Sequence, residues 1–299
     1  MSTLYLESFS LPSDDTEFNY LGYKGHETVM QCYDHGNVYP YKIFPPKGLT
    51  RIRFAPLTIF YGSNGSGKST LLNVIAEKLG IERTSPFNYT PYFESYLEFC
   101  HYSLPEKVSS IPYGSKTVTS DDVFDYLLNV RAVNRGISDR RAALSEEHRR
   151  LYKEDMPKLS SLSEIDEYLK MYEVKTTSRS QYIARRGRSN ELAAKSNGES
   201  AFSYFTDKIT EGALYLLDEP ENSLAPKLQH ALMQFIEESV RFYDCQFIIA
   251  THSPFLLSLR DALIYDLDSH PVKTKKWTEL SGVRAYYDFF NAHKNEFDH

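Results

Sequence analysis

The sequence predicts an α/β fold on a parallel sheet, and three stretches predict it. Leu57-Thr58-Ile59-Phe60 is a short apolar run that leads through a glycine-rich turn into a helical pattern. Two later apolar runs, Leu214 to Leu217 and Gln246 to Ala250, are separated by a long amphipathic segment. Apolar runs this short read as strands buried on both faces, and strands alternating with helices need crossover connections, hence parallel pairing. The 299 residues allow one large domain or two small ones.

Taken in order, residues 17–60 carry aromatic and β-branched runs broken by Gly22, Gly25, Gly36, Pro40, Pro45, Pro46 and Gly48, which predicts strands and turns. After the strand at 57–60, Lys68 to Leu79 predicts a helix with Leu71, Leu72, Ile75 and Leu79 on one face and Gly80 as its stop. Residues 81–118 are aromatic and proline-punctuated and show no clear period. Ser120, followed by Asp121 and Asp122, predicts an N-cap for a helix through Val123, Leu127, Leu128 and Val130. A charged helical stretch continues to about Tyr172, with Ser161 and Glu164 at capping-box spacing. From Lys175 to Lys195 six basic residues face only Glu191. A helical pattern from Ala201 to Thr210 precedes the strand at 214–217, and Pro226 opens the next helix, with Leu228, Leu232, Ile236 and Val240 inward. Beyond 246–250, strands are predicted around Leu263 to Leu267 and near Trp277, then a final helix from Val283 to His293.

The charge balance, 40 acidic against 34 basic residues, gives a net charge of -6 and excludes global attraction to a polyanion. A polyanion site must be local, and the run from Lys175 to Lys195, with Arg179, Arg185, Arg186 and Arg188, is the candidate for contact with a nucleic-acid backbone. Cys32, Cys100 and Cys245 lie far apart without CxxC spacing, which excludes a disulfide framework and a zinc ribbon and fits a reducing cytosol. No apolar stretch reaches the roughly 18–20 residues of a bilayer span. The first residues lack the basic and apolar regions of a secretory signal, so a cytoplasmic protein with no integral membrane segment is expected.

Three segments carry chemistry. Gly62-Ser63-Asn64-Gly65-Ser66-Gly67-Lys68-Ser69-Thr70 matches G-x-x-x-x-G-K-[ST], the phosphate loop. Its glycines let the backbone curl until successive N–H groups converge on phosphate, and the following helix adds the positive end of its dipole. Lys68 is then read as reaching the β/γ-phosphates and the Ser69 hydroxyl as a Mg²⁺ ligand. Leu214-Tyr215-Leu216-Leu217-Asp218-Glu219-Pro220 ends a buried strand in two acids, where α/β sheets place ligands. Asp218 is the candidate Mg²⁺ anchor and Glu219 the candidate general base for an attacking water. Phe247 to Ala250 ends in Thr251-His252-Ser253-Pro254, and a histidine there can orient a γ-phosphate.

In chain order GSNGSGKST, KSNGES, LYLLDEPENSL and IIATHSP resemble the Walker A, signature, Walker B with D-loop, and switch-histidine elements of the ABC-class ATPases. The likeness spans about residues 50–290 and is to the stand-alone bacterial AAA family ATPases, related to RecF-like and SMC-like heads. It implies a P-loop NTPase fold of the ABC ATPase-head type, a mixed sheet with an N-terminal antiparallel β part and an inserted helical subdomain. The implied organisation is 1–84 for the β segment and Walker A part, 85–200 for the helical insertion ending in the signature, and 201–299 for the rest of the core. ATP and Mg²⁺ are the implied cofactors. Gly62, Asn64, Gly65, Ser66, Gly67, Lys68, Ser69 and Thr70 would bind the nucleotide, with Lys68, Glu219 and His252 catalytic and Ser69 and Asp218 on the metal. Ser196, Gly198 and Glu199 would contact the γ-phosphate held by a second copy, so that ATP joins two copies head to tail and drives a protein effector in DNA repair or phage defence. The alternatives are the ATP-binding subunit of a transporter, or a nucleotide-gated binding module with negligible hydrolysis. The sequence departs from the family in lacking any Gln between Lys68 and Gln181, where Asn88 is the candidate substitute, and in ending the D-loop Asn222-Ser223-Leu224-Ala225 on Ala. Tyr39, Tyr41 and Phe44 read as core aromatics rather than an adenine platform.

Overall fold

The computed structural model describes residues 3–22, 38–155, 165–186 and 197–297. The chain divides into two units, residues 1–124 with 197–299, and residues 125–196.

In the larger unit β1 (Ser8–Ser10), β2 (Arg51–Arg53), β3 (Leu57–Tyr61), β4 (His101–Ser103), β5 (Lys116–Thr119), β6 (Leu214–Asp218), β7 (Gln246–Ala250), β8 (Leu263–Asp266) and β9 (Lys273–Thr274) form two sheets. One is antiparallel in the order β2-β1-β4, with Phe9 opposite Ile52 and Tyr102. The other runs β5-β6-β7-β3-β8-β9 and is parallel except for β9, which returns antiparallel to β8. Every residue of β3 and β7 is buried, which is why these strands read as unbroken apolar runs rather than alternating ones. The α/β class, the mixed sheet and the antiparallel N-terminal part are as expected.

The helices are α1 (Asp14–Leu21), α2 (Lys68–Leu79), α3 (Phe93–Glu98), α4 (Ser120–Lys153), α5 (Ile165–Thr176), α6 (Arg179–Arg186), α7 (Asn197–Lys208), α8 (Pro226–Phe242), α9 (Pro254–Leu257) and α10 (Ser281–Ala292). Leu71, Leu72 and Ile75 of α2 are wholly buried, and Gly80 ends the helix in the left-handed conformation at φ 65°. On α8, Leu232 and Ile236 face inward fully, with Leu228 and Val240 half-buried.

Three expectations are corrected. Residues 17–21 of the stretch expected to be strand and turn belong to the helix α1, because Ser13 Oγ accepts from Thr16 N at 3.2 Å and three acids occupy the first turn. The cap at the start of α4 is made by Thr119 rather than Ser120. Thr119 Oγ1 accepts from Asp122 N at 3.2 Å while the Asp122 carboxylate accepts from Thr119 N at 2.8 Å. Near Trp277 there is a 3₁₀ turn, Trp277–Glu279, and the strand lies earlier, at Lys273–Thr274. The patternless stretch 81–118 contains α3, β4 and β5. Ser161 and Glu164 lie outside the described residues.

Side chains of the larger sheet reach the backbone of the smaller one and its flanks: the Tyr265 hydroxyl of β8 accepts from Arg53 N at 3.0 Å and donates to Arg53 O at 2.9 Å. Gln246, wholly buried at the start of β7, accepts from Tyr5 N and Leu6 N, both at 2.8 Å, and donates to Leu6 O at 2.9 Å and Ala55 O at 3.2 Å. The smaller unit has its own core of Leu144, Leu151, Met171, Val174 and Tyr182.

Candidate nucleotide site

The loop between β3 and α2 bends as its glycines require. Gly65 and Gly67 have φ of 79° and 97°, and a Cβ on Gly67 would meet Ile43 Cγ2 at 3.1 Å. Ser66 N donates to Ser63 O at 3.0 Å, closing the turn. The carboxylate of Asp268, just beyond β8, accepts from Ser63 N at 2.8 Å and from Ser63 Oγ at 2.9 Å, tying the loop to the sheet. Lys68 is only 4% exposed, and its ammonium donates to Gly62 O at 2.8 Å and Ser63 O at 3.3 Å.

Two acids meet this loop from β6. Asp218 Oδ1 accepts from Ser69 Oγ at 3.0 Å. Burial pushes the Asp218 carboxyl up to about 6, Glu219 adds to the rise, and the Ser69 hydroxyl, Arg83 and Lys68 oppose it. Glu219 follows in the left-handed region at φ 48°, a strained conformation for a residue with a Cβ, held by its N–H bond to Ala250 O at 2.9 Å. Its Oε1 lies 3.6 Å from Lys68 Nζ and 3.8 Å from His252 Nδ1, and its Oε2 accepts from Asn222 Nδ2 at 2.9 Å.

His252 is set by Glu221, which the sequence reading left without a role. Glu221 is 6% exposed, and its Oε1 accepts from Thr251 Oγ1 at 2.7 Å, His252 N at 3.0 Å and Ser253 N at 3.2 Å. The same oxygen lies 3.6 Å from His252 Nδ1. The end of β7 is thus moulded around one carboxylate carried on the 3₁₀ turn Pro220–Ser223.

Two cavities meet here. One of about 380 Å³ is lined by Ile43, residues 64–70 and Glu219. The other, of about 510 Å³, shares Ser69, Thr70 and Glu219 and adds Tyr39, Asn73, Arg83, Phe87, Asn88 and Asp218 among others. Asn88, named in place of the missing Gln, therefore faces the same space as Asp218. Arg83 donates to Asn73 Oδ1, which fixes a cation at this wall. Tyr41 and Phe44 are core residues, 2% and 0% exposed. Gly198 and Glu199 sit in the first turn of α7, Glu199 is not among the described residues lining either cavity, and Ser196 lies outside the described residues.

The donor set fits a Mg²⁺-nucleotide. A buried ammonium and a backbone loop face one cavity, Ser66 Oγ is buried without a hydrogen-bond partner, and a hydroxyl and a carboxylate with a raised pKa stand together as hard oxygen ligands.

Residues 192–258 match a family model described as an AAA domain, putative AbiEii toxin, Type IV TA system. Among solved structures, the SMC head domain from Thermotoga maritima is similar, at 15% identity with 91% of this chain and 99% of that one covered and a TM-score of 0.39. The Smc head domain of Pyrococcus furiosus, with an extended coiled coil and bound to the C-terminal domain of ScpA, is 14% identical over 81% of this chain and 95% of that one at a TM-score of 0.38. A putative metal-chelate type ABC transporter in an inward-facing conformation is 16% identical over 78% of each chain at a TM-score of 0.37. No curated protein matches the sequence. Among the described residues, no helix is long and apolar enough to cross a membrane.

Proposed function

We propose that this ABC-type P-loop protein binds and hydrolyses MgATP and that the bound nucleotide joins two copies head to tail to drive a protein effector. The observation that carries hydrolysis is the placement of Glu219 Oε1 within 4 Å of both Lys68 Nζ and His252 Nδ1, beside the Ser69–Asp218 pair. Lys68 and the loop amides would hold the β/γ-phosphates, and Ser69 Oγ and Asp218 would hold Mg²⁺, which supplies neutralisation of charge on the phosphate oxygens. Glu219 then accepts the proton of the attacking water at Oε1, while Asn222 keeps the carboxylate from rotating through Oε2. His252 orients Glu219 and faces the γ-phosphate, held in place by Glu221. Dimerisation rests on the signature-like Ser196, Gly198 and Glu199, of which the last two open α7.

The test is Glu219→Gln, which keeps the shape and removes the base. It is expected to bind MgATP and to hydrolyse it roughly 10²–10⁴-fold more slowly than wild type. Light scattering of this variant with MgATP should report a dimer, and Ser196→Arg in the same background should abolish it. A Glu219→Gln protein that stays monomeric at saturating MgATP refutes the head-to-tail arrangement. Wild-type protein that binds MgATP without turnover refutes hydrolysis and leaves a nucleotide-gated module.

A further inference from the structure

The helical unit holds a cavity of about 480 Å³ whose nine lining residues include Arg149, Lys153, Lys175 and Arg179 and no carboxylate, in a chain whose net charge is -6. We propose that this cavity binds the phosphodiester backbone of a single-stranded nucleic acid. The charges are partly preorganised. Lys175 Nζ donates to Tyr152 O at 2.7 Å and rests 5.3 Å from the centre of the Tyr152 ring, so its ammonium is fixed at the wall with donors to spare. The Tyr152 ring is in turn stacked on His148, with centroids 5.9 Å apart and planes at 14°. Arg149 uses one nitrogen on Glu146 at 2.8 Å and keeps the rest of its guanidinium for a ligand. Among the described residues neither Lys153 nor Arg179 makes an ion pair. Ser178 Oγ accepts from Gln181 N at 3.3 Å, which caps α6 and leaves the hydroxyl proton to donate.

This relocates the polyanion site expected from the basic run. Arg186 donates to Glu173 Oε2 from two nitrogens at 2.9 and 3.1 Å, and Arg185 lies 4.0 Å from the same carboxylate. Those cations are committed inside the unit, whereas the uncommitted ones come from the end of α4 and the start of α6. Four cations around a nucleotide-sized hollow match closely spaced phosphates, and a single strand has the torsional freedom to lower them into it. The contacts offered are cations aimed at phosphate rather than groups aimed at base edges, so binding follows the backbone and is indifferent to sequence.

Fluorescence anisotropy of a labelled 15-nucleotide oligo-dT with the full chain tests this at 50–200 mM salt. Wild type is expected to bind with strong salt dependence. Lys153→Glu with Arg179→Glu should weaken binding at least tenfold and lower the log–log salt slope by about 1.4, at about 0.7 per phosphate contact. Lys153→Gln with Arg179→Gln should give the same slope change and serves if the charge reversal disturbs folding, which the thermal unfolding curve checks. Absence of binding by wild type at 50 mM salt overturns the proposal. So does an unchanged slope in a folded neutralised variant, or displacement of the oligonucleotide by decaglutamate as effectively as by unlabelled oligo-dT, which would assign the cavity to an acidic peptide.

Discussion

Glu221, against the end of β7, is immobilised by burial and by three donors, whereas Glu146 and Glu154 on the helical unit stand in water beside one basic partner apiece. Glu221 is 6% exposed and fills one oxygen with three donors. By contrast Glu146 and Arg149 pair at 2.8 Å with side chains 68% and 56% exposed, and Arg150 and Glu154 lie 3.9 Å apart and are 70% and 49% exposed. The buried arrangement is expensive to desolvate but leaves its atoms nowhere else to go; the exposed one costs little and fixes little. Chemistry at an atom needs the first kind of environment, and solubility or diffuse attraction is served by the second.

The largest effect is expected at Lys68. Lys68→Ala removes the buried ammonium from the phosphate loop and should weaken MgATP binding by roughly two orders of magnitude or more in an equilibrium titration, the scale of lost charge-assisted contacts. Full-strength binding would remove the phosphate-loop reading. Next comes Glu221→Ala, which strands Thr251 Oγ1 and His252 N while Ser253 N keeps its bond to Thr251 Oγ1, and should lower stability to denaturant by about 3 kcal/mol, since each buried unsatisfied group costs about 1–3 kcal/mol. Glu221→Gln should recover most of that stability, and a kcat that recovers with it identifies positioning of His252 as the role.

A third measurement asks whether burial without a full set of partners acts in the opposite sense. Glu17, 3% exposed on α1, accepts from Lys42 N at 2.6 Å through Oε2, while its Oε1 has no hydrogen-bond partner. Burial pushes its carboxyl up to about 7, against 4.5 when exposed, with Asp14 adding to the rise. The folded state therefore favours the protonated form, so the contribution of Glu17 to stability is fully present below pH 4.5 and is lost as the pH rises through 7. The loss is on the order of 2–3 kcal/mol, and Glu17→Gln should flatten the pH profile of denaturant unfolding. The smallest effect belongs to the surface. Glu146→Ala should change stability by less than about 0.5 kcal/mol, and a larger change would blur the contrast drawn above.

Local pattern made much of this molecule legible. The strand, glycine turn and helix at 57–80 form within one window, and β6 and β7 announce themselves as apolar runs ending in polar residues. What stayed hidden depends on partners far away in the chain. Three-residue strands such as Ser8–Ser10 and His101–Ser103 carry no period of their own and exist because they pair with each other. Asp268 clamps Ser63 across 205 positions and belongs to no motif. Glu221 stood inside a string already read for its neighbours, and only the fold of β7 shows that its side chain turns back to the Thr251-His252-Ser253 backbone. The cap of α1 was readable in Ser13 and the acids after it, but the aromatic content of the surrounding segment pointed to strands.

Gln246 behaves as a strand residue made of side-chain atoms: its amide offers the same donor and acceptor pattern as a peptide bond, turned sideways between two sheets. Because all four of its bonds end on backbone that is elsewhere held in place, the protons on Tyr5 N and Leu6 N have no small opening through which to reach water. In hydrogen exchange they should therefore keep time with the centre of β7, giving the first residues of the described chain a persistence that chain ends seldom have.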